Sequence, residues 1–240
     1  MKQNPQRPSA ADILRNAFGY WRRTLRYQVL FSLIYLSVFL TAVFFGIAKT
    51  GIGQELLSIS KLQPFSEAYT QAVQALSRTP GFQRLSWLLM LTSVFLYPLN
   101  LGLMKIFRKM DLNEKVSAAD ILAGYQGANF FIFTGFYLFW SVVYSLLFST
   151  VFLAYFWVIA TVFCAPLMFF MNKKIFESIS LSWRALRIFP AEIILCTAAA
   201  AIIKYAGIFS VAGAIFTLPF WNAVIYAMYK VMFSEIYRRE

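Results

Sequence analysis

Few side chains in this sequence are of a kind, or at a separation, that supports a reaction. It has no histidine and ten Asp and Glu residues, and its two cysteines, Cys164 and Cys196, both lie inside apolar stretches. Without an imidazole the chain cannot build a Ser-His-Asp arrangement or a His-ligated haem or iron site. It shows no Gly-rich phosphate loop, no paired catalytic carboxylates and no Cys/His metal spacing. The sequence therefore predicts a non-enzymatic protein with no cofactor. What remains is a small set of polar residues within apolar stretches, where burying charge is costly and points to function. Asn100 and Asn222 lie close to Pro98 and Pro219, and Glu192 and Lys204 sit in a further stretch. The asparagines read either as a polar site at the membrane midplane or as hydrogen-bonding glue between helices. Glu192 and Lys204 are about 18 Å apart along one helix, too far to pair. They either snorkel to opposite headgroup layers or mark an ion path.

Composition says what kind of scaffold holds these residues. Hydrophobic residues make up 60% and charged residues 13%, against roughly 45–50% and about 25% in soluble domains. The 26 Phe, 13 Tyr and 6 Trp exceed what one aqueous core needs. Lipid as solvent resolves this. The net charge of +12 is clustered beside apolar stretches, which reads as membrane topology and anionic headgroups rather than nucleic-acid binding.

A membrane-crossing helix needs ~20 mostly apolar residues. Six segments qualify: 28–48, 85–106, 129–148, 151–171, 188–208 and 211–232. Residues 130–170 carry no charge and would be roughly 60 Å long as one helix, so Ser149 and Thr150 are expected to form a turn. The first apolar run reads as a retained signal anchor. With the N-terminus inside, seventeen of the 22 Lys and Arg residues, including Lys2, Arg7 and Arg239, fall on the inner side. The outer side keeps Lys49, Lys61, Arg78, Arg84 and Lys204. That bias orients both termini towards the cytoplasm.

The predicted fold is all-α: a polytopic transmembrane helix bundle of six crossings, arranged as three hairpins. Each hairpin is preceded by a cytoplasmic amphipathic interfacial helix, at 9–27, 117–128 and 173–187. In the third, within "MNKKIFESISLSWRALRIFPAE", Ile175, Phe176, Ile179, Trp183 and Leu186 share one face at 3.6 residues per turn. Lys173, Glu177, Ser180, Arg184 and Arg187 share the other. Such a helix lies flat at the interface. Lys173, Lys174, Arg184 and Arg187 are then expected on lipid phosphates, with Trp183 in the acyl boundary. In the first, Ile13, Ala17 and Trp21 oppose Arg15, Arg22 and Arg26, which are also expected on headgroups.

"SAADIL" occurs twice, at 9–14 and 117–122. Each copy places Ser three residues before Asp, the spacing of a helix-start hydroxyl and a returning carboxylate. Duplication and convergence explain it equally well. The outer segment 50–83 is expected to hold one short helix between Pro64 and Pro80, with Phe65, Tyr69, Ala72, Val73 and Leu76 on one face.

The last third, "CAPLMFF", "ISLSWRALRIFPAEIIL" and "VAGAIFTLPFWNAVIYAMYKVMF", resembles uncharacterised bacterial multipass membrane proteins. These are similar to the membrane domain that precedes the catalytic domain in some glycerophosphodiester phosphodiesterases. The matching features are Ala165-Pro166, Ser182 before Arg184 and Arg187, Pro219, and Tyr226 to Tyr229. The resemblance implies a bacterial inner-membrane bundle and transfers no catalytic residue. The functional expectation is a lipid-interacting protein or an organiser of a membrane complex, with anionic lipids and a membrane-protein or self-partner. The alternative is a small transporter with a polar site between the second and sixth crossings.

Overall fold

The computed structural model describes residues 9–238, so Lys2, Arg7 and Arg239 lie outside it. Among the described residues every regular element is helical. The helices are α1 (Ala10–Arg23), α2 (Leu25–Thr50), α3 (Gly53–Ser60), α4 (Glu67–Ser77), α5 (Pro80–Leu96) and α6 (Pro98–Asp111). A 3-10 helix, Ala118–Tyr125, is followed by α7 (Asn129–Leu147), α8 (Val151–Thr161), α9 (Cys164–Met171) and α10 (Ile175–Ile188). The last three are α11 (Pro190–Ile208), α12 (Val211–Thr217) and α13 (Phe220–Arg238).

Six helices, counted across short breaks, are long and apolar enough to cross a membrane. They are Leu25–Thr50, Pro80–Asp111, Asn129–Leu147, Val151–Met171, Pro190–Ile208 and Ala212–Ser234. The chain thus has the helices of a multi-pass membrane protein. Their large outward-facing side chains fit that solvent: Phe131 is 76% exposed and Phe152 87%. Such exposure is a liability in water but not in acyl chains.

Three of the six spans are broken, each beside a proline. α5 stops at Leu96 before Pro98, α8 at Thr161 before Pro166, and α12 at Thr217 before Pro219. Proline has no N–H to give to the preceding turn and clashes with its carbonyl, so the ladder ends there. The expected turn at Ser149 and Thr150 is where α7 ends and α8 begins, with the Thr150 N–H donating to the Leu147 carbonyl at 3.0 Å.

The chain forms two compact units. The first comprises residues 9–33 and 97–238. Its core includes Leu101, Phe133, Phe136, Cys164, Ala165 and Met168. α6 and the 3-10 helix touch backbone to backbone, because two glycines leave room. A Cβ on Gly102 would sit 1.9 Å from the Ile121 carbonyl oxygen, and one on Gly124 2.2 Å from that of Pro98. Within segment 117–128, where an amphipathic helix was expected, Ala118–Tyr125 is a 3-10 helix that buries Asp120, Ile121, Ala123 and Gly124 and leaves Leu122 exposed. It lacks the cationic face that would have favoured the interface.

The second unit, residues 34–96, packs Ile52, Leu76 and Leu85 together with Ile47, Leu56, Phe82 and Leu89 around them. Residues 50–83 contain two helices where one was expected. α4 begins at Ser66, whose Oγ accepts the Tyr69 N–H at 3.1 Å, and α3 precedes it. Of the five residues expected on one apolar face only Leu76 is buried. Phe65 is 94% exposed at φ +64°, before the helix starts.

Candidate functional site

Most of the expected headgroup contacts lie on two basic helices, α1 and α10. α1 starts at Ser9, whose Oγ accepts the Asp12 N–H at 3.1 Å, and fully buries Ile13 and Ala17. Trp21 is half-buried, its Nε1 donating to the Phe216 carbonyl at 2.9 Å. Arg15, Arg22 and Arg26 are exposed. Arg26 lies over the Tyr27 ring at 4.6 Å and donates to its hydroxyl at 2.8 Å.

α10 carries the second group of expected contacts. Its buried face is Ser178, Ser182, Ala185 and Leu186, while Phe176 is 78% exposed and Ile175, Ile179 and Trp183 are half-buried. Small residues permit close approach where bulky ones would not. Ser182 Oγ also accepts the Phe163 N–H at 3.3 Å, a donor left without a helical partner at the α8–α9 break. Lys174, Arg184 and Arg187 are exposed. Arg187 lies over the Trp183 ring at 5.2 Å. Lys173 pairs with Glu177, and its hydrogen bond holds the Glu177 carboxyl below the usual range.

A third cluster was not visible in the sequence. Asp111, the last residue of α6, meets Tyr20 of α1 and Tyr226 and Lys230 of α13. Tyr20 donates to both carboxylate oxygens at 2.8 and 2.9 Å, Tyr226 donates at 2.8 Å and Lys230 Nζ pairs at 2.8 Å. Lys230 also donates to the Tyr20 hydroxyl at 3.1 Å. A carboxylate at a helix C-terminus faces the negative end of the dipole, so it needs these donors. Burial, then the hydrogen bond to Asp111, raise the Tyr20 pKa and keep the phenol protonated. Asp111 and Tyr226 are 115 residues apart, beyond any local pattern. The only signal in the sequence was an acid ending a span otherwise flanked by cations.

Asp120 is held in the same way by one neighbouring helix. Lys109 lies 2.8 Å and Lys105 3.4 Å from its carboxylate, and the Ser117 N–H donates at 2.9 Å. Burial alone would raise its pKa, but the Lys109, Ser117 and Lys105 contacts outweigh it and hold the carboxyl at about 2.

Of the candidate intramembrane residues, Asn100 and Asn222 are brought together. Asn222 Nδ2 donates to Asn100 Oδ1 at 2.9 Å, and Asn100 Nδ2 donates to the Tyr97 carbonyl at 2.8 Å. Glu192 and Lys204 do not join them. Glu192 sits in the first turn of α11 and makes no ion pair among the described residues; Lys204 Nζ lies 5.8 Å over the Trp221 ring. Cys164 and Cys196 are buried free thiols. No group of three metal-binding side chains occurs among the described residues. The chain matches no protein-family model, no curated protein and no solved structure.

Proposed function

We propose that this chain is a non-enzymatic integral membrane protein that holds anionic lipid headgroups through α1 and α10, as a lipid-interacting component of a membrane assembly. One observation carries the reading. Lys174, Arg187 and Arg22 are exposed on helices whose tryptophans, Trp183 and Trp21, are half-buried beside them. That pairing of cation and aromatic anchor suits the boundary between headgroups and acyl chains. The charge bias supports three hairpins entered from a cytoplasmic side, with both termini there. The loose resemblance of the last third supports a bacterial inner membrane.

The transporter reading draws less support. Asn222 donates to Asn100, and Asn100 donates to the carbonyl beside Pro98, which favours packing over a solvated midplane site.

The test is retention of anionic lipid by native mass spectrometry. Replacing Lys173, Lys174, Arg184 and Arg187 together by Gln should lower retention by about tenfold, as several charge-assisted contacts are lost. Unchanged retention refutes the reading. Threading is checked by cysteine labelling in intact cells, where probes at Arg84 and Lys174 should react from opposite sides.

A further inference from the structure

Between α1, the end of α6 and α13 lies a cavity of about 360 Å3. Its wall includes Arg15, Asn16, Gly19, Tyr20, Arg23 and Lys230, with Asp111 at its base. Three cations and one carboxylate line it, and the carboxylate is already saturated by Tyr20, Tyr226 and Lys230. Two guanidinium groups are left over. The one ion pair of Arg15 is a long, exposed contact to Asp12 at 3.9 Å, and Arg23 makes none among the described residues.

Gly19 makes the space. It lies four residues from both Arg15 and Arg23, so all three share one face of α1. A Cβ added there would meet nothing within 4 Å. Any longer side chain would fill the gap between the arginines. The surplus of two positive charges matches a phosphomonoester, which carries about −1.5 to −2 at neutral pH. A phosphodiester, with one charge, would leave one guanidinium unmatched. Two Arg forks are suited to bidentate contact with phosphoryl oxygens. Lys230, fixed by Asp111, still has a proton to donate.

We propose that this cavity binds the phosphomonoester headgroup of a membrane lipid, clasped by Arg15 and Arg23 with Lys230 as the third donor. This rests on the reading of α1 as a headgroup-level helix. It goes further by naming one built site and one charge state.

The test uses the full chain in nanodiscs of neutral lipid, probed with phosphatidic acid, phosphatidylglycerol and inorganic phosphate. Wild type should hold phosphatidic acid about tenfold more tightly than phosphatidylglycerol. The double variant Arg15→Gln/Arg23→Gln should erase that preference. So should Gly19→Leu, which keeps every charge and enters open space. The α10 quadruple variant should weaken retention of both lipids and leave their ratio unchanged. Equal retention of the two lipids by wild type, or a preference that survives Gly19→Leu, overturns the site while leaving general headgroup binding intact. Failure of wild type to retain either anionic lipid overturns the broader reading instead. Full displacement of phosphatidic acid by millimolar inorganic phosphate overturns the lipid assignment in favour of a soluble phosphoryl compound.

Discussion

The two "SAADIL" copies begin alike and end in different structures. Both set a Ser hydroxyl against an Asp three residues on, and both bury the isoleucine, Ile13 and Ile121. The first continues as an α-helix in which the Asp12 side chain is 64% exposed and touches Arg15 weakly. The second becomes a 3-10 helix, with the Asp120 side chain 6% exposed and gripped by Lys105 and Lys109. The residues after each copy separate them. "RNAFGYWRR" supplies helix formers and cations, whereas "AGYQGANF" supplies Gly124, which lets the backbone press against α6. Local chemistry starts the turn; the surface it packs on decides what the acid does.

That contrast can be broken from the second copy first. Gly102→Val should push its Cβ into the Ile121 carbonyl and destabilise the fold by about 3 kcal/mol, read as a lower thermal midpoint in detergent. No comparable residue backs the first copy. Asp120→Asn is next in size. It leaves Lys105 and Lys109 without their counter-charge and should cost about 2 kcal/mol at neutral pH. Because the folded carboxyl titrates at about 2, below its ordinary value, the stabilisation is complete above about pH 4 and is lost as pH falls through about 2. Wild type and variant should therefore converge in acid. Asp12→Asn should change stability by less than about 0.5 kcal/mol, as for other exposed ion pairs. A cost for Asp12→Asn equal to that for Asp120→Asn would erase the distinction.

The spans were legible because an apolar run of membrane length has few alternatives. The breaks within three of them were not expected, although Pro98, Pro166 and Pro219 mark where the helical ladder cannot continue. Asn100 and Asn222 could be suspected of meeting, since polar amides in apolar surroundings find few other partners. α3 was missed because its eight residues, "GQELLSIS", begin without a polar cap. The aromatic-aliphatic face of α10 was expected to meet acyl chains, and an exposed Phe176 is compatible with that; what the projection did not say is which residues face the protein. Ser178, Ser182, Ala185 and Leu186 are the residues that go in. The network of Tyr20, Asp111, Tyr226 and Lys230 joins three distant helices, and only their packing reveals it.

The hydroxyl of Ser182 has a consequence beyond filling space. It ties α10 to the Phe163 amide, in the break between α8 and α9. Ser182→Ala would leave that buried amide without its acceptor, so one hydroxyl on α10 secures the interruption within the fourth span.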